Sequence, residues 1–167
     1  MVSKTLLQEE LKASMKAGSA LKTSVLRMLL AAISNKEKEK RFKASKSEPG
    51  LSERELDLQS RLSEAELLDV VSSEAKKRRE AIEGFEKGGN RDMAEQERTE
   101  LGILMAHLPS QLTEEEIREL AKEAISVAGA ASQKDIGKVM SVLAPKTKSR
   151  ADGALVSKIV KDLLGAG

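Results

Sequence analysis

Apolar residues recur along this chain at spacings of three and four, the period of helices that each bury one face. Leu7, Leu11 and Met15 form a short first stripe that Gly18 interrupts, which predicts a helix from about Ser3 to Ala17. The stripe resumes after Ser19 with Leu21, Val25, Met28, Leu29, Ala32 and Ile33. It then dissolves into NKEKEKRFK, where the charges alternate in sign, so the second helix is expected to outrun its own core and end exposed to solvent. The next run, KASKSEPGLSERELDLQSRLS, holds Pro49-Gly50 and several serines, and reads as an exposed, mobile connection over about residues 44–62 with a single helical turn.

Ser63 with Glu66 three residues on is a capping box, and Leu67, Val71, Ala75, Ile82 and Phe85 continue its helix to Gly88-Gly89. Ala94, Leu101, Leu104 and Leu108 line a fourth helix, which ends at Pro109 because the residue before a proline is pushed out of the α region. Thr113 with Glu116 is a second capping box, opening a stripe of Ile117, Leu120, Ala121, Ala124 and Ile125 that stops at Gly129. Ser132 is placed to cap QKDIGKVMSVLA, with Ile136, Val139, Met140 and Leu143 apolar, and Pro145 is expected to stop it. ADGALVSKIVKDLL supplies the last stripe, Leu155, Val156, Ile159, Val160 and Leu163. The pattern predicts an all-α chain: an N-terminal four-helix domain over residues 1–109, which includes the flexible connector, and a small three-helix C-terminal domain over residues 110–167.

Composition sharpens this picture. The only aromatics are Phe42 and Phe85 and there are three prolines, which argues against sheet. The absence of cysteine removes disulfides, thiolate nucleophiles and thiolate metal sites together and fits a reducing compartment, so a cytoplasmic protein is expected. Charges sit inside the apolar run of MVSKTLLQEELKASMK, and no window approaches about eighteen uncharged apolar residues, so neither a signal peptide nor a membrane partner is expected. Net charge is only +2 but uneven: residues 1–50 carry 11 Lys and Arg against 5 Asp and Glu, residues 51–120 carry 10 against 18, and residues 133–167 carry 7 against 3. Basic ends around an acidic middle suit a protein that offers one face to a polyanion.

Catalytic constellations are missing at this level. Neither GxxxxGK[ST] nor GxGxxG occurs, and Gly88-Gly89 lie at a helix end, so no nucleotide cradle and no cofactor is expected. Ser72-Ser73 falls mid-helix and reads as packing; the single histidine, His107, reads as a capping or contact residue on the turn before Pro109. Glu114, Glu115 and Glu116 are adjacent on one helix, so they point about 100° apart and suit the helix dipole better than a metal. No catalytic or metal-ligating residue is assigned, and the chain on its own reads as non-catalytic. KKRR, Lys76 to Arg79, fans around its helix with Lys76–Glu80 and Arg79–Glu83 as local pairs, a solvated face.

The stretch GKVMSVLAPKTKSRADGALVSKIV is different, because its loop carries Lys146, Lys148 and Arg150 and no acid before Asp152. If Pro145 to Ser149 is extended, these three cations project to one side and can meet one anion. Lys134 and Lys138, and Lys158 and Lys161, extend the patch from the flanking helices. Gly137 and Gly153 then serve close approach, Pro145 the turn, and Asp152 the cap of the last helix. A segment without an aromatic suits an RNA held by its backbone and shape; a solvated loop built only for folding is the alternative reading.

Four blocks carry a family resemblance: RMLLAAISNKE from Arg27, EAKKRREAIEGFEKGGNRDMAEQE from Glu74, LPSQLTEEEI from Leu108, and DIGKVMSVLAPKTKSRADGALVSKIVKDLL from Asp135. In this order they resemble the GatB/YqeY family, small bacterial proteins with mitochondrial relatives that share a helical module with the tail of the B subunit of the glutamine-dependent tRNA amidotransferase. The resemblance implies the four-helix plus three-helix plan and a role near tRNA. In this chain Ser149 stands where the family's GRADG turn has glycine, His107 stands where an aromatic often precedes the LP pair, and the connector around residues 46–61 is longer than usual. The function expected is a non-catalytic, tRNA-associated protein whose C-terminal module contacts the tRNA backbone, as an accessory to tRNA-dependent amidation or to another tRNA enzyme. Kinship also raises a component of carbon–nitrogen ligase activity with glutamine as amido-N donor, in contact with amidotransferase subunits. The third reading is a protein-interaction adaptor that uses the apolar stripe of its N-terminal helices.

Overall fold

The computed structural model describes residues 2–165, and every regular element within them is helical. Two compact units result, one running through Leu108 and one beginning at Pro109. In the first unit, α1 spans Lys4–Lys16, α2 Ala20–Ser47, α3 Glu53–Ser60, α4 Glu64–Lys87 and α5 Arg91–Met105. The second holds α6 (Glu114–Ala128), a 3-10 turn (Gln133–Asp135), α7 (Ile136–Thr147) and α8 (Gly153–Gly165). Among the described residues no helix is long and apolar enough to cross a membrane.

Four helices of the first unit share one core. Leu7 of α1, Val25, Leu26, Leu29 and Ile33 of α2, Leu67, Val71 and Ala75 of α4, and Leu104 of α5 are buried there. The inward face of α1 follows the true helical period rather than a strict repeat of four. Leu7, Leu11 and Ser14 turn inward, with Ser14 Oγ 3.0 Å from Thr23 Oγ1, while Met15 is 52% exposed. Most of the stripe that the adaptor reading draws on forms this core, and Met15 and Met28, the latter 43% exposed, are the parts of it left outside.

Residues 44–62 differ from the expected mobile connection. Ala44 to Ser47 continue α2, and eight residues form α3. The reason is a capping box that the serine-rich composition obscured: Glu55 N–H donates to Ser52 Oγ, and the Glu55 carboxylate accepts from the Ser52 N–H. Leu56 is then buried, and Arg41 of α2 pairs with both Glu53 and Asp57. The KKRR run is likewise not one solvated face. Lys76 sits 3.8 Å from Glu80, but the Arg78 side chain is only 15% exposed, and it bridges to Glu97 at 3.3 Å and Glu100 at 3.0 Å on α5. Arg79 is also half-buried and reaches Met105 Sδ of α5 at 3.3 Å, so two positions of the charge run face the partner helix because α4 and α5 pack side by side, which local pairing rules cannot foresee.

The second unit closes around Ile117, Ala121 and Ala124 of α6, Val139 and Leu143 of α7, and Val156, Ile159, Val160 and Leu164 of α8. Gly129 ends α6 in the left-handed conformation, φ 59°, which returns its N–H to the last helical carbonyls. Pro145 does not stop α7, which runs two residues further. The later bonds bypass the missing amide: Lys148 N–H reaches Ala144 O at 2.9 Å, and the buried Thr147 hydroxyl donates to Leu143 O at 3.2 Å.

Glu66 ties α4 to α2. Its carboxylate accepts from the Ser63 N–H and from the Lys40 ammonium at 2.8 Å, and Lys40 also donates to Arg61 O. Chiefly Lys40, then the Ser63 amide and hydroxyl, hold the Glu66 carboxyl at about 2, below its ordinary 4.5. A lowered folded-state value means that the stabilisation is complete above 4.5 and is lost as pH falls toward 2. The pair is solvent-accessible, so Glu66→Gln is expected to lower stability at neutral pH by no more than about 1 kcal/mol. The difference in urea midpoint between variant and wild type should shrink steadily as pH falls from about 5 to about 2; a difference independent of pH would contradict the Lys40 contact.

Candidate nucleic-acid interface

Within the second unit, the loop between α7 and α8 is short and pinned. Residues 148–152 leave α7 at Lys148, and Ser149 adopts φ 60°, the left-handed region that costs a non-glycine residue roughly 1–2 kcal/mol. The Ser149 carbonyl accepts from Gln111 Nε2 at 3.0 Å, and the same amide group donates to Pro109 O at 2.8 Å. Leu112 N–H donates to Arg150 O at 2.8 Å, and Arg150 Nε donates to Ser110 O at 3.3 Å. Two separated sequence blocks, PSQL and KSRADG, are thereby stitched into one structure, and Gln111 is a clamp that the sequence reading missed. Asp152 Oδ1 accepts from Ala154 N–H at 2.8 Å and Leu155 N–H at 3.2 Å, capping the start of α8.

The seven cations singled out by sequence do not form one cluster. The expected extended run from Pro145 to Ser149 is not present, since Pro145 to Thr147 are the last turn of α7, so strand-like alternation does not align Lys146, Lys148 and Arg150. Lys146 instead reaches Glu123 of α6 at 2.8 Å, and Arg150 is partly engaged in the clamp. Lys134 lies in the 3-10 turn at the far end of α8, where a Cβ on Gly165 would stand 3.0 Å from Gln133 Nε2. Lys161 is one helical turn before Gly165, whereas the 148–152 loop joins the opposite end of this 13-residue helix, about 20 Å away, and Lys158 stands mid-helix between the two. Lys138 pairs with Asp135 at 3.0 Å, which lowers the Asp135 carboxyl below its ordinary value. Gly137 and Gly153 do not serve close approach, because a Cβ on either would meet nothing within 4 Å.

Charge is unevenly spread over this unit, with Asp135, Asp152 and Asp162 the acids that lie outside α6. Glu114, Glu115, Glu116, Glu119 and Glu123 all lie on α6, with Thr113 and Glu116 closing its capping box. The Glu116 carboxyl is lowered by the Thr113 amide and hydroxyl, with a small contribution from Arg150. Lys134, Lys158 and Lys161 are exposed and have no side-chain partner among the described residues. Lys138 and Lys146 hold only solvent-accessible ion pairs, which are weak and exchange readily for a phosphate.

In the first unit, His107 contacts α1, its Nε2 lying 3.4 Å from Glu10 Oε2 but outside hydrogen-bonding geometry, and buried. Ser72 Oγ is buried without a partner. Ser72 Oγ thus has no base in hydrogen-bond contact, and the titratable group beside His107 is the Glu10 carboxylate.

The chain matches the Yqey-like protein family over residues 4–164 and belongs to it. It is also 31% identical over 102 residues to the protein described as altered inheritance of mitochondria protein 41, mitochondrial, of Eremothecium gossypii. That match covers 61% of this chain and 46% of the relative, so the chain spans about half of the relative's length.

Relieving Ser149 is the direct test of the pinned loop. Ser149→Gly removes the left-handed penalty and adds about 0.5–1 kcal/mol of chain entropy cost, for a net gain of roughly 0.5–1 kcal/mol. The thermal transition is expected to rise by about 2–6 °C. An unchanged or lower midpoint would show that Ser149 is not held at positive φ.

Proposed function

We propose that this member of the Yqey-like family is a non-catalytic, tRNA-associated protein whose second unit contacts the RNA backbone. The observation that carries the reading is the uneven spread of charge: five of the unit's eight acids lie on α6, while Lys134, Lys158 and Lys161 stand exposed and without an ion-pair partner among the described residues on the 3-10 turn and α8, against Asp162 as the one acid within α8. A polyanion approaching the α7–α8 side meets cations whose contacts need no internal ion pair to be broken, and the α6 side repels it. Lys138, Lys146, Lys148 and Arg150 add to this field from α7 and the pinned loop. The unit carries no aromatic, so the contact is with phosphate and helical shape rather than with stacked bases.

Kinship with the amidotransferase B-subunit tail makes an accessory role in tRNA-dependent amidation the context that best fits such a contact. In that role glutamine chemistry belongs to a partner enzyme and this chain supplies tRNA affinity.

Titration of purified tRNA across a salt series tests the reading. Lys134→Ala/Lys158→Ala/Lys161→Ala is expected to flatten the log–log salt slope by about 2–3 units, with the thermal transition unchanged. Lys146→Ala/Lys148→Ala/Arg150→Ala should flatten it as well, with some loss of stability from the Arg150 clamp. A wild-type protein without affinity for tRNA at low salt, or slopes that neither variant changes, would overturn the proposal.

A further inference from the structure

The hairpin of α2 and α3 carries a second cationic surface, and it differs from the first in displaying apolar side chains. The helices run antiparallel: Arg41 of α2 pairs with Glu53 and Asp57, and Lys40 donates to Arg61 O, so later residues of α3 meet earlier residues of α2. Phe42 follows Arg41 by one residue and Leu58 follows Asp57 by one residue, each a rotation of about 100°. Because the helices run in opposite directions, the two rotations turn toward the same side. Phe42 is 61% exposed and Leu58 54% exposed, two of the largest apolar exposures among the described residues.

Each of them sits between cations at helical spacing: Lys38 and Lys46 flank Phe42 at four residues on either side, and Arg54 and Arg61 flank Leu58 at four and three. The alternating signs of the sequence suggest neutrality here, but in the structure nearly all of the acids are engaged by other groups. Glu37 is taken by Lys4 of α1, Glu39 by Lys36, Glu53 and Asp57 by Arg41, and Glu55 by the Ser52 cap. Glu48, at the turn, is the one acid of the hairpin without a partner among the described residues. Lys38, Arg54 and Arg61 have no side-chain partner among the described residues, and Lys46 has only the Phe42 ring, with its ammonium 4.9 Å from the centroid.

We propose that this face, Lys38–Phe42–Lys46 beside Arg54–Leu58–Arg61, is a binding surface for single-stranded RNA, in which the four cations hold phosphates and Phe42 stacks on a base. This rests on the RNA-associated reading and extends it to a second site in the other unit. Single-strand binding combines a row of cations with an aromatic platform, and the chain has two aromatic residues, of which Phe85 is half-buried and Phe42 is exposed. The two surfaces divide the work by chemistry: the aromatic-free unit suits helical RNA, and the hairpin suits unpaired nucleotides. An anionic membrane is less well matched, since binding there scales with buried apolar area and two side chains supply little of it.

The test uses the full chain with a 12-nucleotide oligouridylate, an RNA duplex of the same length, and tRNA. Lys38→Ala/Lys46→Ala/Arg54→Ala/Arg61→Ala is expected to flatten the salt slope for oligouridylate by about three units, at roughly 0.7 per phosphate on a single strand. Phe42→Ala should weaken oligouridylate about 5- to 100-fold, leave its salt slope unchanged and leave the duplex unaffected. The proposal is overturned if wild type does not bind the oligonucleotide, or if neither variant alters binding to it. It is overturned too if the hairpin variants lose affinity for phosphatidylserine vesicles or polyglutamate while keeping oligouridylate. In each of these cases, tRNA binding that still depends on Lys134, Lys158 and Lys161 would leave the function proposed above standing, whereas loss of all RNA binding by wild type would remove both.

Discussion

Each helix of this chain buries a narrow aliphatic stripe, and the rest of the structure follows from that constraint. With no tryptophan, tyrosine or cysteine and two phenylalanines, the interior is built from Leu, Ile, Val and Ala. Burying such side chains contributes about 1.5–3 kcal/mol each for the larger ones, so a helix is held only while its stripe stays inward. That requirement sets the rotation of every helix about its axis, and with it the outward direction of every charge. It explains why Ser14 rather than Met15 faces the first core, and why the two arginines of the KKRR run reach across from α4 to α5.

Once rotation is set, neighbours decide which charges are neutralised. Arg78 is matched by Glu97 and Glu100, Arg41 by Glu53 and Asp57, and Lys40 by Glu66. These cross-helix pairs engage acids and leave particular cations without partners, which concentrates unpaired positive charge locally on a chain whose net charge is only +2. The two cationic faces are residues of this pairing, one on the 3-10 turn and α8, the other on the α2–α3 hairpin. Their chemistry differs because the aromatic residue that remains exposed belongs to the hairpin.

The pinned loop illustrates a different economy. Gln111, Leu112 and Ser110 supply one donor or acceptor each to Ser149 and Arg150, so a segment just before α6 and the loop before α8 satisfy each other's backbone groups. This network holds Ser149 at a positive φ that serine disfavours, and it keeps the Arg150 guanidinium close to the start of α6.

Local chemistry made much of this protein legible before any fold was seen. Helical periodicity, the capping boxes at Ser63 and Thr113, and the glycines that end α4 and α6 depend on residues within a few positions of one another, so the sequence by itself determined the all-α class and most helix starts. The capping box at Ser52 obeys the same rule and was hidden only by the surrounding serines and Pro49-Gly50. The tertiary structure alone decided what depends on distant partners: Arg78 between two carboxylates, Pro145 carried within a helix by later bonds, the Gln111 clamp, and the separation of Lys134 from Lys146 across the length of α8. A short window specifies which atoms a backbone can satisfy locally, but which charges remain unpaired is settled only when helices far apart in sequence pack against one another.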